Sequence, residues 1–299
     1  QLKLVISVLI ITAFTSVATI VYRNSSEILL EHTLEEQQSK LDALAVTISS
    51  QFEIYLDNAR ELESAFRQGY LYGLSFEDQK VSFAGQQVQN VTLNNKSLIN
   101  NTDIVDRFSR DTGAIATLFV ASGNDFVRVA TSLKDDSGKR ALGTKLGHGH
   151  PGFNNISSGQ AYYAKVVLFG DTYLTYYSPI KDENGRVVAI SFIGIPIDEA
   201  TKAVFASLAN IRWGDTGYTI VVDNDKNSLG EYLYHPVIKE KGTSILNMTD
   251  YNGNKPFGEL FESTSGLMTY PYEYNGVAGD KYLVYTEVPG WNWKLLGGT

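Results

Sequence analysis

The stretch that decides the fold is Leu118–Thr144, LFVASGNDFVRVATSLKDDSGKRALGT. It opens with a run of β-formers, turns at Gly123-Asn124-Asp125, resumes as a second strand, and ends in a polar loop containing Gly138 and Gly143. Two apolar runs joined by such a turn predict an antiparallel hairpin. Alternation along the second strand puts Phe126, Arg128, Ala130 and Ser132 on one face, and Val127, Val129, Thr131 and Leu133 on the other. The Val/Leu face reads as core. The opposite face carries a guanidinium beside a hydroxyl, in a strand otherwise suited to burial. An arginine there needs an anion. That anion is either a ligand or a neighbouring carboxylate, Asp125, Asp135 or Asp136, in a structural ion pair on a solvated face.

Ala114–Ala121 forms the first strand of the hairpin. Downstream, Gln160–Phe169, Thr172–Ile180 and Val187–Pro196 read as strands separated by turns at Gly170-Asp171 and Asp182–Gly185. Together they predict an antiparallel sheet of about five strands, with the loop Lys134–Gly159 free to close over one face. Tyr173, Thr175 and Tyr177 alternate onto one face of their strand. With Arg128 and Ser132 they make a candidate pocket for a small carboxylate, because a planar guanidinium grips both oxygens and hydroxyls satisfy the remaining lone pairs.

Asp198 is placed to cap a helix reaching about Arg212. A second strand-rich unit starts at Gly214, with candidates Tyr218–Asp223, Tyr232–His235, Gly266–Tyr274, Lys281–Glu287 and Trp293–Gly297. It repeats the layout of the first unit but not its sequence. Tyr234-His235-Pro236 places an imidazole at the mouth of this unit, near Lys281 and Tyr282. These three form a second candidate pocket, against the alternative of a satisfied structural histidine.

Upstream of the hairpin, Gln68–Asn101 is polar and reads as loops holding one short hairpin, Val81–Phe83 with Val88–Leu93; a short helix follows at Thr102–Thr112. Asn24 to Arg67 contains neither Gly nor Pro. Leu34, Leu41, Ile48, Tyr55 and Leu62 recur every seven residues, with Ala45, Phe52, Ala59 and Phe66 beside them. This predicts one amphipathic helix of roughly 65 Å, packed on its own domains and, over part of its length, paired with a second copy in a homodimer. Leu4–Tyr22 carries no charge and is flanked by Lys3 and Arg23. At about 1.5 Å per residue it is long enough for a ~30 Å hydrocarbon core. Ser16-Val17-Ala18 imitates a signal-peptide cleavage site, but the apolar run is long for that role, so a membrane anchor continuing into the helix is expected. The chain starts at Gln1 and is expected to be a piece of a longer protein. The expected divisions are a transmembrane helix over 1–23, a stalk helix over 24–70, a membrane-distal domain over 71–197, a connector helix over 198–213 and a membrane-proximal domain over 214–299.

Composition narrows the function. Over 299 residues the chain is 43% hydrophobic and 19% charged, with a net charge of −8. That acidity argues against nucleic-acid binding. The absence of cysteine excludes disulfides, thiolate metal sites and cysteine nucleophiles. Gly147–Gly152 spells G-x-G-x-x-G, but it follows no strand and Pro151 opens no dinucleotide-binding helix. His148 and His150 supply only half a metal site. Asp223-Asn224-Asp225-Lys226-Asn227 begins like a calcium loop, but Ser228 and Tyr234 stand where glycine and glutamate are required. No nucleophile elbow, zinc-protease or phosphate-loop motif occurs, so neither an enzyme nor a cofactor or metal is expected.

With these residues in place, the chain resembles the double-Cache sensor region of bacterial methyl-accepting chemotaxis proteins. The first unit resembles a type 3 Cache domain through Asp125–Thr144, through HPGF at His150–Phe153, and through Leu168–Ile197. The second resembles a type 2 Cache domain through GYTIVVD at Gly217–Asp223, LYHP at Leu233–Pro236, and VPGWNWKLLGG at Val288–Gly298. The resemblance implies an α+β chain of two tandem PAS-like domains with antiparallel sheets behind a long helix. It implies a homodimer anchored in the inner membrane, single-pass in this piece and two-pass in the whole receptor. The sensor domains would be periplasmic or extracellular, would bind an organic acid or amino acid, and would pass the signal inward to control chemotaxis. A histidine kinase, a nucleotide cyclase or a non-signalling binding protein is the alternative.

Overall fold

With no helix breaker between Asn24 and Arg67, nothing interrupts the first helix. In the computed structural model α1 spans Leu2–Ala65 and closes in a π-helical turn at Phe66–Tyr70. The structure describes the backbone of residues 2–274 and 276–298, and the side chains of 11–273 and 276–298. The side chains of residues 1–10, part of the expected membrane segment, lie outside the described residues. Among the described residues no helix is long and apolar enough to cross a membrane.

The buried stripe of α1 departs from the heptads. Leu34, Leu41, Ala45, Ile48 and Phe52 are buried, as the seven-residue rows require. Further on, Leu56, Ala59, Glu63 and Phe66 are buried, while Tyr55 and Leu62 are only half-buried. A straight helix drifts about 20° per heptad against a 3.5-residue repeat, so one row runs off the packed face and its neighbour takes over.

The chain divides into two compact units, one of residues 51–204, the other of residues 1–50 with 205–299. In the first, β1 (Leu74–Phe83) and β2 (Gln86–Leu93) form a hairpin extended by β3 (Lys96–Ser97). Both turn residues, Ala84 and Gly85, sit at positive φ (49° and 75°), the backbone that matches strand twist in a two-residue hairpin. The strands are longer than their sequence suggests because most of their side chains are polar and half-exposed. After α2 (Asp103–Thr112) comes the main sheet: β4 (Ile115–Ser122), β5 (Asp125–Thr131), the short helix α3 (Phe153–Ser157), β6 (Tyr162–Leu168), β7 (Asp171–Lys181) and β8 (Val187–Pro196). It is antiparallel throughout, in the order β5-β4-β8-β7-β6.

One irregularity in this sheet corrects the sequence-based faces. Leu118 pairs with Ala130 and Phe119 with Arg128, so Val129 has no partner and forms a bulge. Beyond it the faces swap. Phe126, Arg128, Thr131 and Leu133 share the front of the sheet, and Ser132 lies behind it, where its Oγ is bonded to the main chain of Ala116. Ser132 therefore leaves the candidate pocket. The edge of β5 is covered by the following loop: Arg128 N donates to Thr144 O (2.9 Å), Gly143 N to Arg128 O (2.9 Å) and Leu146 N to Phe126 O (2.9 Å). On the back of the sheet, the Ser191 hydroxyl donates to the buried Glu63 carboxylate of α1, and Phe52 lies 6.4 Å from Tyr163.

The helix α4 (Asp198–Leu208) leads into the other unit, with β9 (Arg212–Trp213), β10 (Gly217–Asp223), β11 (Tyr232–Tyr234), β12 (Ser265–Tyr274), β13 (Val277–Val288) and β14 (Trp293–Gly298). Its sheet order, β11-β10-β14-β13-β12, repeats that of the first unit strand for strand, with β9 pairing on β10. Trp291 is buried, stacks on Trp293 at 4.4 Å and donates its indole N–H to Ile48 O of α1 at 2.9 Å. Lys294 is fully buried; its ammonium donates to Leu260 O and Ser263 O and lies 3.6 Å from Glu287.

Candidate functional site

On the front of the first sheet, Ile115, Phe119, Phe126, Leu133, Tyr177, Ile190 and Phe192 come together. The loop after β5 lays Ala141, Phe153 and Ile156 over them. Arg128 is the cation within this apolar face. Its guanidinium carbon sits 4.8 Å from the centre of the Phe119 ring. Its Nη1 donates to Thr144 Oγ1 (2.8 Å) and weakly to Ala141 O (3.4 Å). Its Nε is buried and has no partner.

The ion-pair reading of Arg128 fails on geometry. Among the described residues no carboxylate lies within 4.0 Å of it. Asp125 accepts from Phe126 N (2.7 Å) and Gly147 N (3.0 Å), and Asp135 closes its own turn on Ser137 and Lys139. Burial pushes the Arg128 guanidinium down to about 10, which still leaves it charged at neutral pH. Burial likewise pushes the Tyr177 phenol up to about 12, with the Arg128 cation pulling the other way.

Of the other expected residues, Tyr177 stands beside Arg128, while Thr175 and Tyr173 share its face without reaching it. The Thr175 hydroxyl is committed to Ala164 O at 2.9 Å. Tyr173 lies four residues further along β7, roughly 13 Å at strand rise, and burial and the nearby Asp171 carboxylate raise its phenol.

Two groups invisible to strand alternation complete the site. His150 rests 4.9 Å from Tyr177 and 5.6 Å from Tyr162. Its Nδ1 accepts from Gly152 N (3.1 Å), so the neutral ring carries its proton on Nε2, and burial lowers its basicity. Gly152 is required there because a Cβ would land inside the Tyr162 ring. Thr131 and Thr117 share a buried hydroxyl–hydroxyl bond of 2.6 Å on the same face. The HPGF motif was the one sequence signal for His150. The threonines had none, since the bulge reverses the predicted side of Thr131 and no face was assigned to Thr117.

The second candidate pocket is a cluster of tyrosines. His235 is buried between Tyr218 (5.3 Å) and Tyr232 (5.0 Å), and its Nδ1 accepts from Val237 N (3.0 Å) and Ile238 N (2.9 Å). Burial pushes the imidazole down to about 4, with Lys239 adding to the effect. Lys281 lies 4.2 Å over the Tyr272 ring on the face that also carries Tyr270; burial lowers its ammonium and pushes Tyr232 up to about 12. Tyr282 alternates to the opposite face with Val284, which lies beside Leu34 and Gln38 of α1, so it does not belong with Lys281. Among the described residues no cluster of His, Asp and Glu is placed to hold a metal.

Comparison with known proteins gives these faces a context. The model of the Cache 3/Cache 2 fusion domain matches residues 23–299. No curated protein matches the chain. Among solved structures, the extracellular domain assigned to a histidine kinase aligns at 15% identity over 89% of this chain and 97% of its own, with a TM-score of 0.52. The sensory domain of the Campylobacter jejuni chemoreceptor Tlp3 aligns at 10% identity over 89% and 94%, TM-score 0.46. The ligand-binding domain of the Pseudomonas aeruginosa amino acid chemoreceptor PctC, solved with GABA, aligns at 15% identity over 87% and 96%, TM-score 0.47. At 15% identity the first of these shows a likeness of fold alone. The family match runs through both sheets and most of α1, and on that ground the chain belongs to the Cache 3/Cache 2 fusion domain family.

Proposed function

We propose that this chain is the extracytoplasmic sensor region of a homodimeric transmembrane chemoreceptor, and that it binds a small anionic metabolite at Arg128. It is not an enzyme in this reading. In this reading residues 71–197 are the membrane-distal sensor domain, residues 214–299 are the membrane-proximal domain, and the apolar start of α1 is the anchor. The observation that carries the reading is the guanidinium held in an aromatic face with a buried, unpartnered Nε and no carboxylate beside it. A buried charge without a counter-ion is costly, and an anionic ligand removes that cost. The response follows from strand β8. Phe192 packs on Tyr177 at 4.8 Å from the front, and its neighbour Ser191 holds Glu63 of α1 from the back. A ligand that moves the front of the sheet thereby acts on the helix, and it biases signalling by its differential affinity for the two positions.

A thermal-shift screen of the chain against organic acids and amino acids tests this reading. A ligand at a hundred times its dissociation constant adds about 2.7 kcal/mol. Arg128→Gln is expected to abolish that shift for the hit; an unchanged shift would remove the site from Arg128. The tyrosine cluster is a second reading, favoured by one observation: the Lys281 ammonium is in no ion pair among the described residues. Hits that vanish in Lys281→Met and persist in Arg128→Gln would move the sensor there.

A further inference from the structure

Along α1, Glu27, Glu31 and Glu35 follow one another every four residues, and Leu30, Leu34 and Gln38 do the same three places on. Spacings of three and four put both rows on one side of the helix. Opposite them, in the same unit, Leu267 of β12 pairs with Val284 of β13. These side chains line a groove of about 470 Å³. Small-molecule sites span about 300–1,000 Å³. By helix rise it follows α1 for roughly 16 Å. Leu34 and Val284 are buried, whereas Leu30 and Leu267 stay 38% and 49% exposed, so the groove holds apolar surface that the fold itself does not cover.

The polar lining has one sign. Glu35 has His32 at 3.7 Å, and Glu27 and Glu31 are in no ion pair among the described residues. Arg23 and Lys40, the cations to either side on α1, do not line the groove, and the Lys40 ammonium donates to Arg212 O at 3.1 Å and lies 4.7 Å over the Trp213 ring. Gln38 gives a second, independent sign. Its Nε2 donates to Asp42 Oδ1 (3.0 Å) and Tyr285 O (3.3 Å), both acceptors, which fixes the orientation of the amide. Its Oε1 is thereby left buried without a hydrogen-bond partner. Three carboxylates and an unmet carbonyl oxygen thus accompany the apolar surface.

We propose that this groove binds a small organic cation, a protonated primary amine carrying an apolar body. The ammonium lies along the glutamate row, with Gln38 Oε1 as the acceptor at its end, and the body covers Leu30, Leu34, Leu267 and Val284. Charge decides the class of ligand: a carboxylate would meet three like charges, and a neutral alcohol would gain the apolar contact alone. The inference is independent of the Arg128 site and needs no ligand there.

Calorimetry on the 299-residue chain in neutral detergent at low salt tests this with 4-phenylbutylamine and cyclohexylmethylamine, each beside its alcohol, 4-phenylbutanol and cyclohexylmethanol. At least one amine is expected to bind. Its affinity is expected to fall roughly tenfold in Glu27→Gln/Glu31→Gln/Glu35→Gln and to weaken with added salt, while that of its alcohol is unchanged by the substitutions. Leu267→Lys, at an exposed position, tethers an ammonium in the groove and is expected to abolish amine binding. Arg128→Gln is expected to leave it intact. Equal losses for amine and alcohol in the triple variant overturn the role of charge. Amine binding that is indifferent to the triple substitution and to Leu267→Lys overturns the groove, and loss of it in Arg128→Gln assigns the amine to the first sheet and overturns the inference too. Absence of binding by both amines overturns it as well; if Leu267→Lys then lowers the oligomeric state in sedimentation, the occupant is a second copy of the chain.

Discussion

At the scale of single residues, the structure separates histidines that look alike in sequence. His235 accepts two amide hydrogen bonds through Nδ1 and is buried among tyrosines, which pushes it down to about 4. The unfolded imidazole titrates near 6.5. The folded value is the lower one, so the unfolded state binds more protons between about pH 6.5 and 4, and stability is lost as pH falls through that window. The loss is expected to be on the order of 2 kcal/mol by pH 4. His235→Asn offers an oxygen to the same two amides without titrating, so urea unfolding as a function of pH should lose this slope in the variant. An unchanged slope would assign the acid sensitivity elsewhere. Arg128 was legible in the sequence because a charge in a strand of β-formers is conspicuous. The HPGF motif marked His150 but not its place in the site, because its partners Tyr162 and Tyr177 arrive from β6 and β7, and no local pattern encodes that meeting.

At the scale of elements, α1 shows how far a seven-residue pattern can be trusted. It located the helix and most of its buried face, but it favoured Tyr55 and Leu62 over Leu56 and Glu63. Phe52, 2% exposed, and Val46, 66% exposed, give a direct test. Phe52→Ala is expected to destabilise the protein by about 3–5 kcal/mol, and Val46→Ala by no more than ~0.5 kcal/mol. Comparable losses in denaturant titration of the two variants would overturn the assignment of Phe52 to the packed face of α1 and of Val46 to its exposed face. Ser191→Ala tests the buried polar tie. Among the described residues it leaves the Glu63 carboxylate with Arg67 at 3.5 Å, and a loss of about 1–3 kcal/mol is expected in the same titration. The β1–β2 hairpin was under-read because its polar, half-exposed strands lack the apolar alternation by which strands are recognised.

At the scale of the whole molecule, the repeated layout of strands along the chain was legible, whereas the shared order of those strands within each sheet was not. Turn residues fall at corresponding places in both halves, and each half carries its own core. A ligand at Arg128 is therefore expected to slow amide exchange in the strands and loop of residues 115–196 and in the end of α1 that carries Glu63. Residues 217–298 should change far less. Hydrogen-exchange mass spectrometry with and without the best-binding acid measures this, and protection confined to 217–298 would place recognition in the tyrosine cluster. The membrane segment was read from the uncharged run Leu4–Tyr22, whose side chains at residues 4–10 lie outside the described residues.

The bulge at Val129 bears on how the site is to be compared across relatives. Val129 has no partner across the ladder, so a homologue one residue shorter between its arginine and its threonine would present the same front face. A homologue of equal length with a regular ladder would present different side chains at the same column. An alignment gap belongs at Val129, and identity scored column by column beyond that point measures strand register before it measures shared ligand chemistry.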